Sequence, residues 1–196
     1  HYDHLDLPTL KRLEKDHSPI FFVGLGLKTL LESEGMKNVV ELDWWEDFFK
    51  DNVKITFVPA RHWSKRTLFD TNETLWGGFV ISQNKYNLYF AGDTGFGKHF
   101  EEIHKRFKHI NLAMLPIGAY LPRWFMKEAH MSPADVLKVQ DILKAKINIP
   151  IHWGTFLLGD DYLDEAKLEL ETLLRAQKTD QNKWKILDFG ESIDLL

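Results

Sequence analysis

The chain opens on His1-Tyr2-Asp3-His4, and three of these four residues can ligate a metal. Farther along, His62 follows VKITFVPA, Asp93 follows YNLYFAG, and His152 closes KINIPI ahead of Trp153-Gly154. Each stands in a loop just after an expected strand, where a rigid scaffold presents its chemistry. Singly they say little. A lone histidine after a strand is more often a hydrogen-bonded structural residue, and Asp93 in AGDTG reads as a turn residue. Jointly they form a set made only of imidazoles and carboxylates, which suits Zn²⁺ and neighbouring borderline metals. The chain has no cysteine, so thiolate sites and disulfides are excluded. His17, His99, His104 and His109 lie in or beside polar helical stretches and read as surface residues.

The elements that must carry these residues follow from hydrophobic periodicity. Strands are expected over Pro19–Val23, Asn38–Leu42, Val53–Pro59, Gly77–Ile81, Tyr86–Ala91, Asn111–Leu115, Ile147–Ile151 and Lys183–Phe189. Asn84 and Lys85 predict a tight hairpin between two of them. Helices are expected over Leu5–His17 and Lys98–Lys108. Another is expected from Ser132-Pro133-Ala134-Asp135, a Ser cap with Pro in the first turn and an acid at the third position. Val136, Val139 and Leu143 then share a face, as do Leu163, Ala166, Leu170 and Leu173 in a last helix. Hairpins mixed with strands that alternate with helices point to an α/β protein with sheets covered by helices, not a simple doubly wound sheet.

The chain has 196 residues, 44% hydrophobic and 28% charged, which suits one soluble domain over 1–196 with room for a sizeable core. A net charge of -4 with no long basic run argues against a nucleic-acid partner. The pairs Lys11-Arg12, Lys65-Arg66 and Lys105-Arg106 read as solvated surface. The apolar stretch Pro19–Leu27 is too short to cross a bilayer. Absence of cysteine fits a reducing compartment, and a cytoplasmic location is expected, with peripheral contact to a membrane left open.

The stretches ELDWWEDF, ARHWSKRTLFDTNETLWGGFVI, FAGDTGF, LPIGAYLPRWFMKEAHMSP and IHWGTF resemble the N-acylphosphatidylethanolamine-hydrolysing phospholipase D family, within the metallo-β-lactamase superfamily. The superfamily signature is H-x-H-x-D-H after a strand, then a distant His, a bridging Asp and a final His. His1-Tyr2-Asp3-His4 matches its last four positions, which puts the first His two residues ahead of His1. The resemblance therefore implies an αββα sandwich whose first strands and first motif His lie upstream, this chain being the C-terminal part of a larger domain. The lack of long insertions resembles bacterial members.

The resemblance further implies two zinc ions. His1 and His62, with the upstream His, would hold one; Asp3, His4 and His152 would hold the other; Asp93 would bridge them. A hydroxide between the metals would attack a phosphodiester, turning N-acylphosphatidylethanolamine into N-acylethanolamine and phosphatidic acid, with no Ser, Cys or Lys nucleophile. Tyr2 and His130 match substrate-contacting positions. Asp3 could accept a proton, and His130 could orient the phosphate or protonate the leaving alkoxide. In LPRWFM, apolar surface beside Arg123 suits a lipid with its phosphate near the cation, and Trp63 and Trp153 flank two ligands. Partners implied are a phospholipid or other phosphodiester, a membrane surface and a second copy of the chain. A lactone, a cyclic phosphodiester or an RNA end on the same centre is the competing reading, the low basic charge opposing RNA; a non-catalytic fragment is another.

Overall fold

The computed structural model describes residues 1–177 and 180–194. The first helix, α1 (Leu7–His17), starts where the Asp6 carboxylate accepts the Thr9 N–H at 2.9 Å and Pro8 occupies the first turn. Strand β1 (Phe21–Gly24) leads through α2 (Lys28–Ser33) to β2 (Val39–Leu42), and the two strands pair in parallel as a small sheet.

The larger sheet has six strands in chain order: β3 (Asp47–Lys50), β4 (Val53–Val58), β5 (Gly78–Gln83), β6 (Tyr86–Phe90), β7 (Leu112–Pro116) and β8 (Ile147–Ile151). The first four alternate in direction, the β5–β6 hairpin turning at Asn84 and Lys85. β6, β7 and β8 run parallel. Parallel neighbours need a crossover, supplied here by α3 (His99–Phe107) and by α4 (Arg123–Met126) with α5 (Pro133–Leu143). The helix α6 (Glu165–Ala176) and a 3₁₀ turn (Gln181–Lys183) follow.

Two cores divide the work. Val58, Val80, Tyr89, Ala113 and Leu115 of the large sheet are buried against Phe100 and Ile103 of α3, Val136, Val139 and Leu143 of α5, and Leu170 of α6. Val23, Leu31 and Val39 of the small unit are buried with Leu7 and Leu10 of α1 against them. The sheets meet at Phe22 and Phe48, ring centroids 5.0 Å apart, and at Gly24 against the Phe57 ring. The layers thus run helix, sheet, sheet, helix, the αββα sandwich.

One expected strand differs. Within Lys183–Phe189 only Trp184 bridges β8, through Asn148, with the Lys185 N–H donating to the Asn148 carbonyl at 2.9 Å. Beyond it, side-chain anchors hold the segment off the ladder: Lys167 Nζ lies 2.6 Å from Asp188, and Phe189 packs on Trp153. Periodicity did not reveal α2, β3 or α4, elements of six, four and four residues, too short to repeat a pattern. No helix among the described residues is long and apolar enough to cross a membrane.

Candidate metal centre

The ligand-type residues meet at the C-terminal edge of the large sheet. His62 lies four residues after β4, Asp93 three after β6, and His152 directly after β8. The turn at His1–His4, closed by the Leu5 N–H donating to the His1 carbonyl at 2.9 Å, sits just before α1 and reaches the same edge.

Asp93 is the hub. Its Oδ2 lies 2.9 Å from His4 Nε2 and 3.8 Å from His62 Nε2, and its Oδ1 lies 3.1 Å from His152 Nε2. Backbone carbonyls set both distal rings. His62 Nδ1 is 3.0 Å from the Ala129 carbonyl, and His152 Nδ1 is 3.4 Å from that of Gly118. With Nδ1–H donated outward, each Nε2 lone pair is left to face Asp93, the arrangement that metal-binding histidines use. His152 adopts a left-handed φ of 60°, uncommon for histidine and characteristic of functional sites.

His4, Asp93 and His152 offer donor atoms within 4.8 Å of one another, and so do His62, Asp93 and His130. Asp93 belongs to both groups, while His1 and Asp3 belong to neither. The His1 ring packs edge-on against His62 and Trp63, at centroid distances of 5.4 and 4.5 Å. His1 Nε2, His62 Nε2, His130 Nδ1 and Asp93 Oδ1 are buried without a hydrogen-bond partner among the described residues. Buried polar atoms left unpaired are costly, and these four are ligand-type atoms gathered at the Asp93 carboxylate. The donor set therefore fits divalent cations.

The local charge agrees. Burial pushes the Asp93 carboxyl up, but the hydrogen bond from His4 and the charges of His152, His4 and His62 outweigh it, holding it well below the usual carboxylate range. The His4 imidazole is raised, chiefly by its hydrogen bond to Asp93. Burial lowers His62, and it lowers His130 to about 4.

The other expected site residues are placed as follows. Asp3 Oδ2 lies 3.5 Å from His4 Nε2, and Asp3 lines a cavity beside His152. Tyr2 is half exposed and lines neither cavity at the centre. Trp63 and Trp153 each line one of the two. Arg123, expected beside a phosphate, instead spends its guanidinium on Asp135 at 2.8 Å and on the His130 carbonyl at 3.0 Å. Asp135 in turn forms the reciprocal cap with Ser132 that starts α5. The arginine thereby holds the His130 loop to that helix.

His99 corrects the sequence reading. It is buried, not at the surface, with Nε2 3.2 Å from Thr94 Oγ1, and burial lowers it to about 4. His104 is half-buried, while His17 and His109 are exposed. Sequence reasoning also missed Asp161, buried, whose carboxylate accepts the Ala119 and Leu121 N–H groups and ties the loop after β7 to the loop after β8. Nothing in GDDYLD distinguishes it from its neighbours.

Of three cavities that include His4, two reach the other ligand-type residues of the centre. One, about 430 Å³, is walled by Ile149, Ile151, Leu158 and Phe189 and ends at Asp3 and His152. The other, about 290 Å³, is walled by Phe22, Leu27, Phe57 and Phe79 and ends at His1, His62 and Asp93.

A sandwich of two sheets with a histidine–aspartate cluster at the strand ends is the architecture of metallo-β-lactamase-type proteins. Residues 1–153 match the Beta-lactamase superfamily domain, and the chain belongs to that family. It is 43% identical over 180 residues to a mitochondrial N-acyl-phosphatidylethanolamine-hydrolyzing phospholipase D of Saccharomyces cerevisiae, covering 88% of this chain and 38% of that one. It is 37% identical to N-acyl-phosphatidylethanolamine-hydrolyzing phospholipase D 1 of Caenorhabditis elegans, covering 97% of this chain and 57% of the relative. The chain thus spans roughly two-fifths to three-fifths of these relatives' lengths. Among solved structures, Igni18, a metallo hydrolase from the archaeon Ignicoccus hospitalis, superposes with a TM-score of 0.72 at 21% identity, over 98% of this chain and 75% of that one. At that identity the likeness concerns the fold.

Proposed function

We propose that the protein of which this chain forms the metal centre is a zinc-dependent phosphodiesterase of the phospholipase D type, releasing N-acylethanolamine and phosphatidic acid from N-acylphosphatidylethanolamine. The observation that carries the proposal is the shared Asp93 carboxylate between two donor groups, with an apolar cavity on each side. The names of the two curated relatives described above point to the same substrate.

In this reading His1 and His62, with the expected upstream His, would hold one ion, Asp3, His4 and His152 would hold the other, and Asp93 would serve both. Two bound divalent ions supply Lewis acidity and a hydroxide at neutral pH. The chain's own residues do the rest. The carbonyls of Ala129 and Gly118 fix the rings of His62 and His152. Asp3, which lines the cavity that His152 also lines, would take the proton that the attacking water gives up. As the water oxygen bonds to phosphorus, the P–O bond to the ethanolamine oxygen breaks; that oxygen leaves with the electron pair and takes up a proton. Burial lowers the His130 imidazole to about 4, which supports a part as N–H donor to a phosphate oxygen over one as acid to the leaving group. Tyr2, half exposed and outside both cavities, would meet the substrate only where it projects beyond them. Arg123 acts through the His130 loop.

Apolar cavities on both sides of the centre suit a phosphodiester with an apolar arm on each side of phosphorus. Leu68 and Phe69 follow His62, Trp124 and Phe125 precede His130, and Phe156 and Leu157 follow His152; Phe69 is 92% and Trp124 79% exposed. Exposed apolar tips on three site loops support peripheral contact with a lipid surface.

The test is product analysis by mass spectrometry, with intact protein and zinc restored. Equimolar N-acylethanolamine and phosphatidic acid are expected. Unchanged lipid with rapid lactone opening would overturn the proposal.

A further inference from the structure

The loops bearing His62 and Asp93 are joined by a small buried device. Thr94, directly after Asp93, is completely buried. Its Oγ1 accepts the N–H of Arg61, the residue before His62, at 2.9 Å. One residue on, the Gly95 N–H donates to the Arg61 carbonyl at 2.8 Å, so both main-chain groups of Arg61 are held by the Asp93 loop. The Thr94 hydroxyl also contacts the Gly95 carbonyl at 2.8 Å and His99 Nε2 at 3.2 Å. A hydroxyl has one proton and two lone pairs. Donation to Gly95 with acceptance from Arg61 and His99 uses all three.

The Arg61 side chain extends the device to a third loop. Its guanidinium donates to the Phe96 carbonyl at 2.8 Å and pairs with Glu128. Glu128 precedes Ala129, whose carbonyl orients His62, and His130 follows. Gly95 lies so close to this loop that a Cβ there would stand 2.6 Å from the Glu128 carbonyl oxygen. His62, Asp93 and His130, the members of one donor group, thus stand on three loops that converge on Arg61 and Thr94.

We infer that Thr94, backed by His99, is a positioning residue whose hydroxyl sets the spacing of the His62 and Asp93 loops and hence the metal affinity of the centre. The inference rests on the metal-centre reading and deepens it, but needs no particular substrate. Thr94→Val keeps the side-chain shape and removes the hydroxyl. It leaves the Arg61 N–H unpaired, and relief comes only by moving the loop that carries His62.

The experiment measures zinc affinity of the intact protein by chelator competition, beside thermal melting and phosphodiester hydrolysis. Thr94→Val is expected to bind zinc about 10- to 100-fold more weakly, as for other groups that orient metal ligands, while Thr94→Ser stays close to wild type. That rescue separates a hydroxyl-specific role from general packing. If Thr94→Val does not fold, His99→Phe carries the test, since it removes the donor behind the hydroxyl and keeps a ring; weaker zinc binding is again expected. Wild-type zinc affinity in whichever variant carries the test, or equal losses in Thr94→Val and Thr94→Ser, overturns the inference. Wild-type protein that takes up no zinc overturns it together with the metal-centre reading. Zinc bound as expected without lipid hydrolysis overturns the substrate alone and leaves the positioning role supported.

Discussion

The carbonyl oxygen of His152 passes so close to Gly118 that a Cβ on Gly118 would stand 2.1 Å from it. The Gly118 carbonyl in turn faces His152 Nδ1. The loops after β7 and β8 are therefore seated on each other's backbones, and the ring that faces Asp93 depends on that contact. Gly118→Ala is expected to destabilise the protein by about 1–3 kcal/mol through overpacking. It should also weaken metal binding, because His152 must yield. Thermal melting and zinc titration check this; unchanged zinc affinity would dissociate the contact from the site.

Asp93→Asn removes the charge shared by both donor groups. The isosteric amide should fold, but zinc content should fall below two ions per chain. The hydrolytic rate should drop by several orders of magnitude, because water activation is lost with the metals. Elemental analysis beside activity is the check, and full activity would remove the basis for a dimetal centre.

His130→Ala is expected to leave zinc content intact and lower kcat by about 10²–10³, the usual loss of one preorganised donor to a developing oxyanion. Loss of zinc in this variant would instead make His130 a ligand beside His62 and Asp93, the grouping its position also permits.

His99 gives a stability effect with a definite sign. Its folded value is lowered from 6.5 to about 4, chiefly by burial and next by Arg61. Between those values the unfolded chain binds the extra proton, so stability falls as pH drops from about 6.5 toward 4. Melting temperatures across that window should decline less steeply in His99→Phe than in wild type. Parallel profiles would place His99 in a more solvated setting.

Phe69→Ser and Trp124→Ser address membrane contact. Both residues are exposed on site loops. Together the changes should lower co-sedimentation with phospholipid vesicles while leaving hydrolysis of a soluble short-chain phosphodiester unchanged. Unaltered vesicle binding would count against these loops as the contact.

The local signals in the chain were strong where a pattern repeats or a cap is self-contained. Val136, Val139 and Leu143 with the Ser132 cap marked α5, and alternation with a two-residue turn marked the β5–β6 hairpin. The residue types at strand ends, His62, Asp93 and His152, limited the chemistry to nitrogen and oxygen ligands, since no cysteine competes. What the sequence left open was distance and burial. His99 sits in a polar helical stretch, yet α3 turns it inward onto Thr94. Arg123 looked free for a phosphate, yet α5 presents Asp135 to it. Lys183–Phe189 alternates like a strand, yet Lys167 and Trp153 hold it off the ladder. Periodicity reports which side of its own element a residue takes. Which residues meet is decided by strand order and register: the parallel run β6–β7–β8 brings Asp93 and His152 to one edge from 59 positions apart, and β4 brings His62 beside them.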